Sequence, residues 1–498
     1  MDRVFLNDTG SCRVADSWPV SCDYTQIHAL LSQAAEQAAL TGQVTPASLV
    51  LPAPAIDPLR IFQFYQSLHT GECFYWEQPA RQMALVGAGV VLSIETTGAE
   101  CFTQAALAWQ QLRREAIIRS LPGFAGELPH TGNGPVLIGG FSFDPLRTRT
   151  PLWNGFPAGL LILPRLLFSR HDDQQTLTLN CLVRASDDLD NLMYSIGGEI
   201  ARLSEILTTP TNLPGSASAE GPAYILHEAR PAEDWKALVS LAVRSIQQGE
   251  YVKVVLAREV DVEARIRPFS LVATLQRLRQ SYPGACVFAF QRGERAFIGA
   301  TPERLVHARD GKLHTMALAG SAPRGASEEE DRRLGSELLY SPKNREEHEI
   351  VTATIRDSLA DLCSRIWVAD TPELLRLRNI QHLQTAIVGD LLPGRSVLEA
   401  LHTLHPTPAV GGAPTEPALA FIRAYENLDR GWYAGPIGWV DLHGNGEFAV
   451  ALRSALLEKS QARLFAGCGI VKDSDPAAEY AESCLKLQVI LRSLSEEE

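Results

Sequence analysis

A lysine stands inside one of the most apolar runs of this sequence. In YVKVVLA, residues 251–257, period-two alternation puts Lys253, Val255 and Ala257 on one face of a strand. Val252, Val254 and Leu256 take the other face. Two readings of Lys253 follow. It is an edge lysine that blocks strand-to-strand aggregation, or a pocket lysine whose desolvated amine serves as a general base. Further on, Gly299-Ala300-Thr301-Pro302-Glu303 ends a strand in a turn that projects one carboxyl. That carboxyl is either a solvated turn group or a general acid at the mouth of a site.

Three more segments carry groups of the same kind. The helix KNREEHEIV offers Glu346, Glu347 and Glu349. A charged first turn usually serves the helix dipole, with metal binding the sharper alternative. In the helix AAEYAESCLKL, Glu479, Glu482 and Lys486 are spaced i, i+3 and i+7 and share one face. They form either an exposed salt-bridged stripe or two carboxylates for a hard divalent cation beside a lysine for an anion. The preceding Gly467-Cys468-Gly469 lets backbone approach a ligand closely. The run LHPTPAVGGAP, from Leu404, is dense enough in proline and glycine to make a rigid loop of ligand size. RGWYAG and ALR then add Tyr433 and Arg453, the latter able to fork onto a carboxylate. Two lysines, an arginine, a tyrosine and several glutamates together suit a small carboxylate substrate with a metal ion. Composition and spacing do not name the reaction.

These groups must be positioned by strands and helices of both halves of the chain. The N-terminal half reads as a helix at Ile27–Gln37, a second at Thr103–Leu112, and strands at Cys73–Trp76, Ala84–Ile94, Val136–Phe143, Gly159–Leu167 and Thr176–Val183. Thr208 to Ala223, TTPTNLPGSASAEGPA, has no hydrophobic period and reads as a linker. The expected division is therefore an N-terminal α+β region over residues 1–210, a loop or linker over 211–223, and a catalytic region over 224–498. In the catalytic region strands are expected at Tyr251–Ala257, Ala285–Gln291, Arg295–Gly299, Leu305–Arg309, Leu313–Ala319, near Arg376–Leu383, and at Gly435–Val440, Glu447–Leu457 and Arg463–Ile470. Helices are expected at Ala232–Gln248, Leu271–Ser281, 345–359 and 476–494, the last opened by Asp475 as N-cap and Pro476 at the first helical position. Strands mixed with fewer helices indicate an α+β, layered-sheet fold.

Composition bounds the rest. The chain has 498 residues, 45% of them hydrophobic and 21% charged, which is ordinary for a globular protein with a large core. Its 45 basic and 58 acidic residues give a net charge of −13, which argues against a nucleic-acid partner but leaves room for a local cationic pocket. The longest apolar stretches, Ala84–Ile94 and Gly159–Phe168, are too short to span a bilayer, and MDRVFLNDTG lacks the pattern of a signal peptide. Nine cysteines without a CxxC pair fit reduced thiols, so a cytoplasmic location is expected.

Placed in order, the segments VKVVLAR, GATPERL, ALAGS, NREEHEIV, QHLQT, LHPTPAVGGAP, DRGWYAGPIGW, VALRSALL and AGCGIVKDSDPAAEYAESCLKL resemble the chorismate-utilising enzymes. CFYWEQP and GGFSFDP resemble the isochorismate synthases among them, especially those feeding bacterial salicylate and siderophore pathways. The resemblance implies the chorismate-binding fold, two large layered sheets with helices outside, with chorismate as substrate and Mg²⁺ as cofactor. It implies Lys253 as the base that activates water and Glu303 as the acid that protonates the departing hydroxyl. Glu347 and Glu482 would hold the metal, with Glu479 beside them. Tyr433, Arg453 and Lys486 would bind substrate carboxylates, helped by backbone at Gly320, Ser321, Gly467 and Gly469, with His382 and Ala409 lining the ring. An acid that must stay protonated near neutral pH requires a raised pKa at Glu303.

Two positions divide the branches of that family. Ammonia-using members usually lack a lysine at the place of Lys253, so water is the expected nucleophile. Members that go on to eliminate pyruvate often carry threonine where this chain has Ala409. The resulting expectation is an isochorismate synthase supplying salicylate for a siderophore, with an isochorismate-pyruvate lyase as a downstream partner. Its rivals are a bifunctional salicylate synthase, a menaquinone-pathway isochorismate synthase and a non-catalytic binding paralogue.

Overall fold

The computed structural model describes residues 24–68, 71–120, 132, 134–208, 224–376 and 380–494. The linker expected at 211–223 lies outside the described residues.

Alternation along the strands sorts the core into two layers. In the strand Glu72–Gln78, Phe74 and Trp76 join one buried cluster, while Cys73 and Tyr75 join another. The strand Cys286–Arg292 repeats the pattern, with Phe288 and Phe290 on one side and Val287 and Ala289 on the other. The first cluster, rich in Trp153, Phe156, Phe297, Trp432 and Trp439, lies between sheets. The second packs one sheet against the helices Tyr24–Thr41, Pro58–Ser67, Leu271–Ser281 and Pro476–Leu494.

Strands from both halves interleave. Lys253–Ala264 pairs with Gln461–Ile470, which pairs with Ser454–Glu458, then Arg295–Thr301 and Cys286–Arg292. The next partner, Glu72–Gln78, belongs to the N-terminal half and leads to Met83–Thr96 and Gly159–His171. A second sheet leaves Gly159–His171 through Val136–Phe141 and returns to the C-terminal half at Pro436–Asp441. It continues through Gly446–Val450, Arg304–Arg309, Lys312–Pro323 and Ile380–Leu391. Among the described residues only Thr45–Pro52 with Ile117–Ser120 pairs parallel. The fold is α+β: the strands form one hydrogen-bonded, almost wholly antiparallel network that parts at Gly159–His171 into two layers, with helices outside. No helix among the described residues is long and apolar enough to cross a membrane.

Two strand expectations are corrected. The run expected as one strand, Glu447–Leu457, is two: Gly446–Val450 and Ser454–Glu458. Between them Arg453 takes a left-handed backbone, φ 49°, which ends the extended run. The run near Arg376–Leu383 is also two strands, Glu373–Arg376 and Ile380–Leu391, and they pair with each other antiparallel. Apolar periodicity carries no sign of either interruption, because both flanks of each break are equally strand-like.

Candidate active site

Lys253 is not at a sheet edge. Its strand pairs with Gln461–Ile470 on one side, and Lys253 itself sits opposite Ala413 on the other. Only 8% of Lys253 is exposed, and its Nζ donates to Glu347 Oε1 at 3.1 Å. The side chain enters a cavity of about 270 Å³. The glycines of the facing strand make room for it. A Cβ on Gly469 would stand 2.9 Å from Lys253 Cε, and one on Gly467 would stand 3.0 Å from the Tyr433 hydroxyl. The GxG spacing follows from alternation: Gly467 and Gly469 face the cavity.

Glu303 reaches the same cavity from the turn after Arg295–Thr301. That turn is fastened at three points. Glu303 N donates to Thr301 Oγ1 at 3.2 Å, Thr301 Oγ1 donates to Val450 O at 2.6 Å, and Val450 N donates to Glu303 O at 3.0 Å. Desolvation pushes the Glu303 pKa up to about 7, against the pull of Arg453, Lys253 and Lys486. The carboxyl therefore keeps its proton to a higher pH than a solvated turn glutamate would.

Arg453 and Tyr433 come from two kinks bonded to each other. Ala434, like Arg453, has positive φ, at 61°. Ala434 N donates to Ala451 O at 3.1 Å, and Ala451 N donates to Gly435 O at 2.9 Å. Left-handed non-glycine residues cost free energy and gather where function requires them; here they aim Tyr433 and Arg453 inward. Tyr433 stacks on Phe465 with ring centroids 5.2 Å apart. Burial raises its pKa, so the phenol keeps its proton and can donate it in a hydrogen bond to an anion. Burial lowers the pKa of Arg453, yet guanidinium remains charged at any physiological pH.

The helix Pro476–Leu494 begins as the sequence indicates, with Asp475 Oδ1 accepting from Ala478 N at 2.8 Å. It turns Glu479, Glu482 and Lys486 onto the cavity. Lys486 Nζ lies 2.6 Å from Glu482 and donates to Gly467 O at 2.8 Å. For Glu482, burial works upward, but Lys486, His382 and Arg453 outweigh it and hold the carboxyl below its usual range. Glu479 is raised by burial and by the charge of Glu482. His382 pairs its Nδ1 with Ser321 Oγ at 2.8 Å, beside Gly320. Burial, helped by Lys486 and Arg453, lowers His382 to about 4, so the ring is neutral.

The donors suit a hard divalent cation. Glu347, Glu479 and Glu482 face one cavity, and carboxylate oxygens of Glu479 and Glu482 lie within 4.8 Å of each other and of Cys468 Sγ. Cys468 is no ligand for such an ion: burial pushes its thiol to about 12, and it donates to Glu479 O at 3.3 Å.

Ala409 also lines the cavity, so all the residues assigned from sequence meet there. Sequence reasoning missed Arg430, which shares the lining. Its guanidinium forks onto Glu426 at 2.7 and 2.5 Å and donates to Val410 O and Val255 O at 3.2 and 2.7 Å. Glu426 in turn accepts from Ala257 N at 2.8 Å. This buried pair clamps the loop of Ala409 and Val410 to the strand of Lys253. Arg430 lies beyond the helical turn Ile422–Glu426, so no helix spacing in the sequence announces the pair. The loop's other end is anchored by His405, whose Nε2 lies 3.0 Å from Phe143 O.

The chain is similar to several known proteins. An isochorismate synthase MenF of Bacillus subtilis is 36% identical over 445 residues, 89% of this chain and 92% of the relative. A salicylate biosynthesis isochorismate synthase of Pseudomonas aeruginosa is 40% identical over 444 residues, 88% of each chain. The solved structure of MenF, the menaquinone-specific isochorismate synthase from Escherichia coli, superposes with a TM-score of 0.73 at 29% identity, covering 93% of this chain and 99% of that one. Residues 32–495 match the family described as chorismate binding enzyme, and the chain belongs to that family.

Proposed function

We propose that this protein is an isochorismate synthase. The observation that carries the reading is a lysine and a carboxyl with a pKa of about 7 in one cavity that also offers Arg453, Tyr433 and Lys486 to a dianion. Support comes from the two relatives above, each named an isochorismate synthase.

In this reading Lys253 takes a proton from water as the oxygen bonds to ring carbon C2. Two ring double bonds shift, and the C4–O bond breaks. Glu303 gives its proton to the departing hydroxyl, which leaves as water, so no water is consumed overall. Base and acid must act on opposite sides of one substrate, and here one comes from the strand Lys253–Ala264 and the other from the turn after Arg295–Thr301. Arg453, Tyr433 and Lys486 bind and orient the carboxylates, and His382 lies against the ring as a neutral group. Glu347 and Glu482 would hold Mg²⁺, with Glu479 supporting them; when bound, the ion supplies positive charge to polarise the ring carboxylate.

Ala409 supports release of isochorismate over onward elimination of pyruvate. The relative named for salicylate biosynthesis, at 40% identity, supports salicylate as the further product, formed by a separate lyase. A cytoplasmic location accords with this substrate and with cysteines that form no CxxC pair. The test is incubation of purified protein with chorismate and Mg²⁺, followed by chromatography. Isochorismate alone, passing to salicylate only when isochorismate-pyruvate lyase is added, is the expected outcome. Salicylate without the lyase makes the enzyme bifunctional, and unchanged chorismate overturns the proposal.

A further inference from the structure

A second cavity, of about 760 Å³, adjoins the reaction cavity and has the opposite character. The helix Pro476–Leu494 is the partition. Its Glu479 faces the reaction cavity alone, Glu482 and Lys486 border both, and Ala478, Ala481, Leu485 and Val489, at steps of three and four residues, face the second one. Pro283, Ala300, Ala322 and Pro323 complete an apolar wall. Leu485 is 56% exposed, so the chamber opens to solvent.

The charged groups on its rim are unbalanced. Arg376, Arg453 and Lys486 face one carboxylate, Glu482. Lys486 is paired with Glu482 at 2.6 Å, and Arg376 lies 3.8 Å from Asp331. The guanidinium of Arg453 makes no hydrogen bond or ion pair among the described residues, and Arg453 lines both cavities. Apolar walls select an apolar body, and the surplus cation at the inner end selects one anionic head. A substrate with two carboxylates suits the polar cavity, not this one.

We propose that the chamber is a second ligand site for an aromatic monocarboxylate, ring on the apolar wall and carboxylate on Arg453. Because Arg453 is shared, occupation excludes chorismate, so such a compound inhibits competitively. The competition clause rests on the catalytic reading above; the binding clause does not.

The probe is 2-naphthoate, its binding to the full chain followed by its own fluorescence and, separately, by its effect on chorismate turnover. It should bind, and raise KM for chorismate with kcat unchanged. The neutral 2-naphthamide should bind about tenfold more weakly or worse, the factor one charge-assisted hydrogen bond supplies. Ala481→Trp, which fills the chamber, should weaken 2-naphthoate by a similar factor and leave KM and kcat for chorismate unchanged. Equal affinity for acid and amide, undiminished binding to A481W, or no binding at all overturns the site. The amide comparison uses the unaltered protein, so it decides even if A481W fails to fold. Turnover without naphthoate binding removes this inference alone; naphthoate binding without turnover removes the catalytic reading alone.

Discussion

The Nζ of Lys253 lies 3.1 Å from Oε1 of Glu347, so strand Lys253–Ala264 and helix Pro342–Ser358 meet through one ion pair inside the cavity. The pair fixes where the amine points. Across the same space, Lys486 is held by Glu482 at 2.6 Å. Each lysine is thus paired with a carboxylate assigned to the metal.

Lys253→Ala should lower kcat by about 10²–10⁴-fold, the contribution of a general base. Chorismate affinity, measured by calorimetry, should stay within a few-fold, because other cations bind the carboxylates. Lys253→Arg should not restore the rate, since guanidinium does not give up its proton. Near-full activity of either variant removes the lysine from the mechanism.

Glu303 sets a pH dependence whose sign can be worked out. Its carboxyl rises from 4.5 to about 7, and the protonated form is the one required. kcat/KM should therefore fall as pH rises through about 7. In Glu303→Gln that limb should vanish and the rate should drop. The same shift acts on stability. The folded state binds more protons than the unfolded state between pH 4.5 and about 7, so stability is lost as pH rises across that window. Asp441, raised by burial to about 7, adds a slope of the same sign. E303Q should therefore flatten some of the decline of Tm, measured by calorimetric scans over that range. An unchanged profile on both counts refutes the assignment.

Gly469→Ala tests the close approach directly. Its Cβ would stand 2.9 Å from Lys253 Cε, the far end of a flexible side chain. The fold should survive while the amine is displaced, and kcat should drop about 10²-fold, as expected for a misplacement near 1 Å. A crystal structure of the variant with Lys253 unmoved, or an unaltered kcat, contradicts this.

Glu482→Ala should weaken Mg²⁺ binding, read by titration calorimetry without substrate, by about tenfold or more. Turnover should fall with it. Unchanged Mg²⁺ affinity places the ion elsewhere.

Glu426→Ala leaves Arg430 as an unpaired buried charge. Such a loss costs about 3–5 kcal/mol, measurable as a lower denaturant midpoint. A stability change under about 1 kcal/mol would mean that the clamp does not hold the loop.

Several polar residues of the cavity stood out in short local patterns, an isolated lysine in an apolar strand, a carboxyl after a proline turn and a polar stripe on one helix, while their roles, and the choice of Gly320, Ser321, His382 and Ala409, came from the resemblance alone. What the sequence hid is non-local. Nothing around Glu447–Leu457 signals the left-handed turn at Arg453, because the reason for it is a bond pattern with Ala434 and Gly435. The backbone bonds of Arg430 likewise join segments far apart in sequence. The helices Pro58–Ser67 and Leu189–Thr208 escaped for another reason: their faces are completed by neighbouring elements that local periodicity does not contain.

Because N-terminal strands stand between C-terminal ones, the half of the chain with the chemistry lacks, on its own, the strands that join its parts. A fragment cut at residue 224 would bare the edges of Cys286–Arg292 and Pro436–Asp441, both apolar and both made to receive a strand. Such edges invite a second molecule to supply what is missing. New versions of this enzyme therefore cannot arise by exchanging one half like a module; they must arise by changing loops and cavity walls within a scaffold inherited whole.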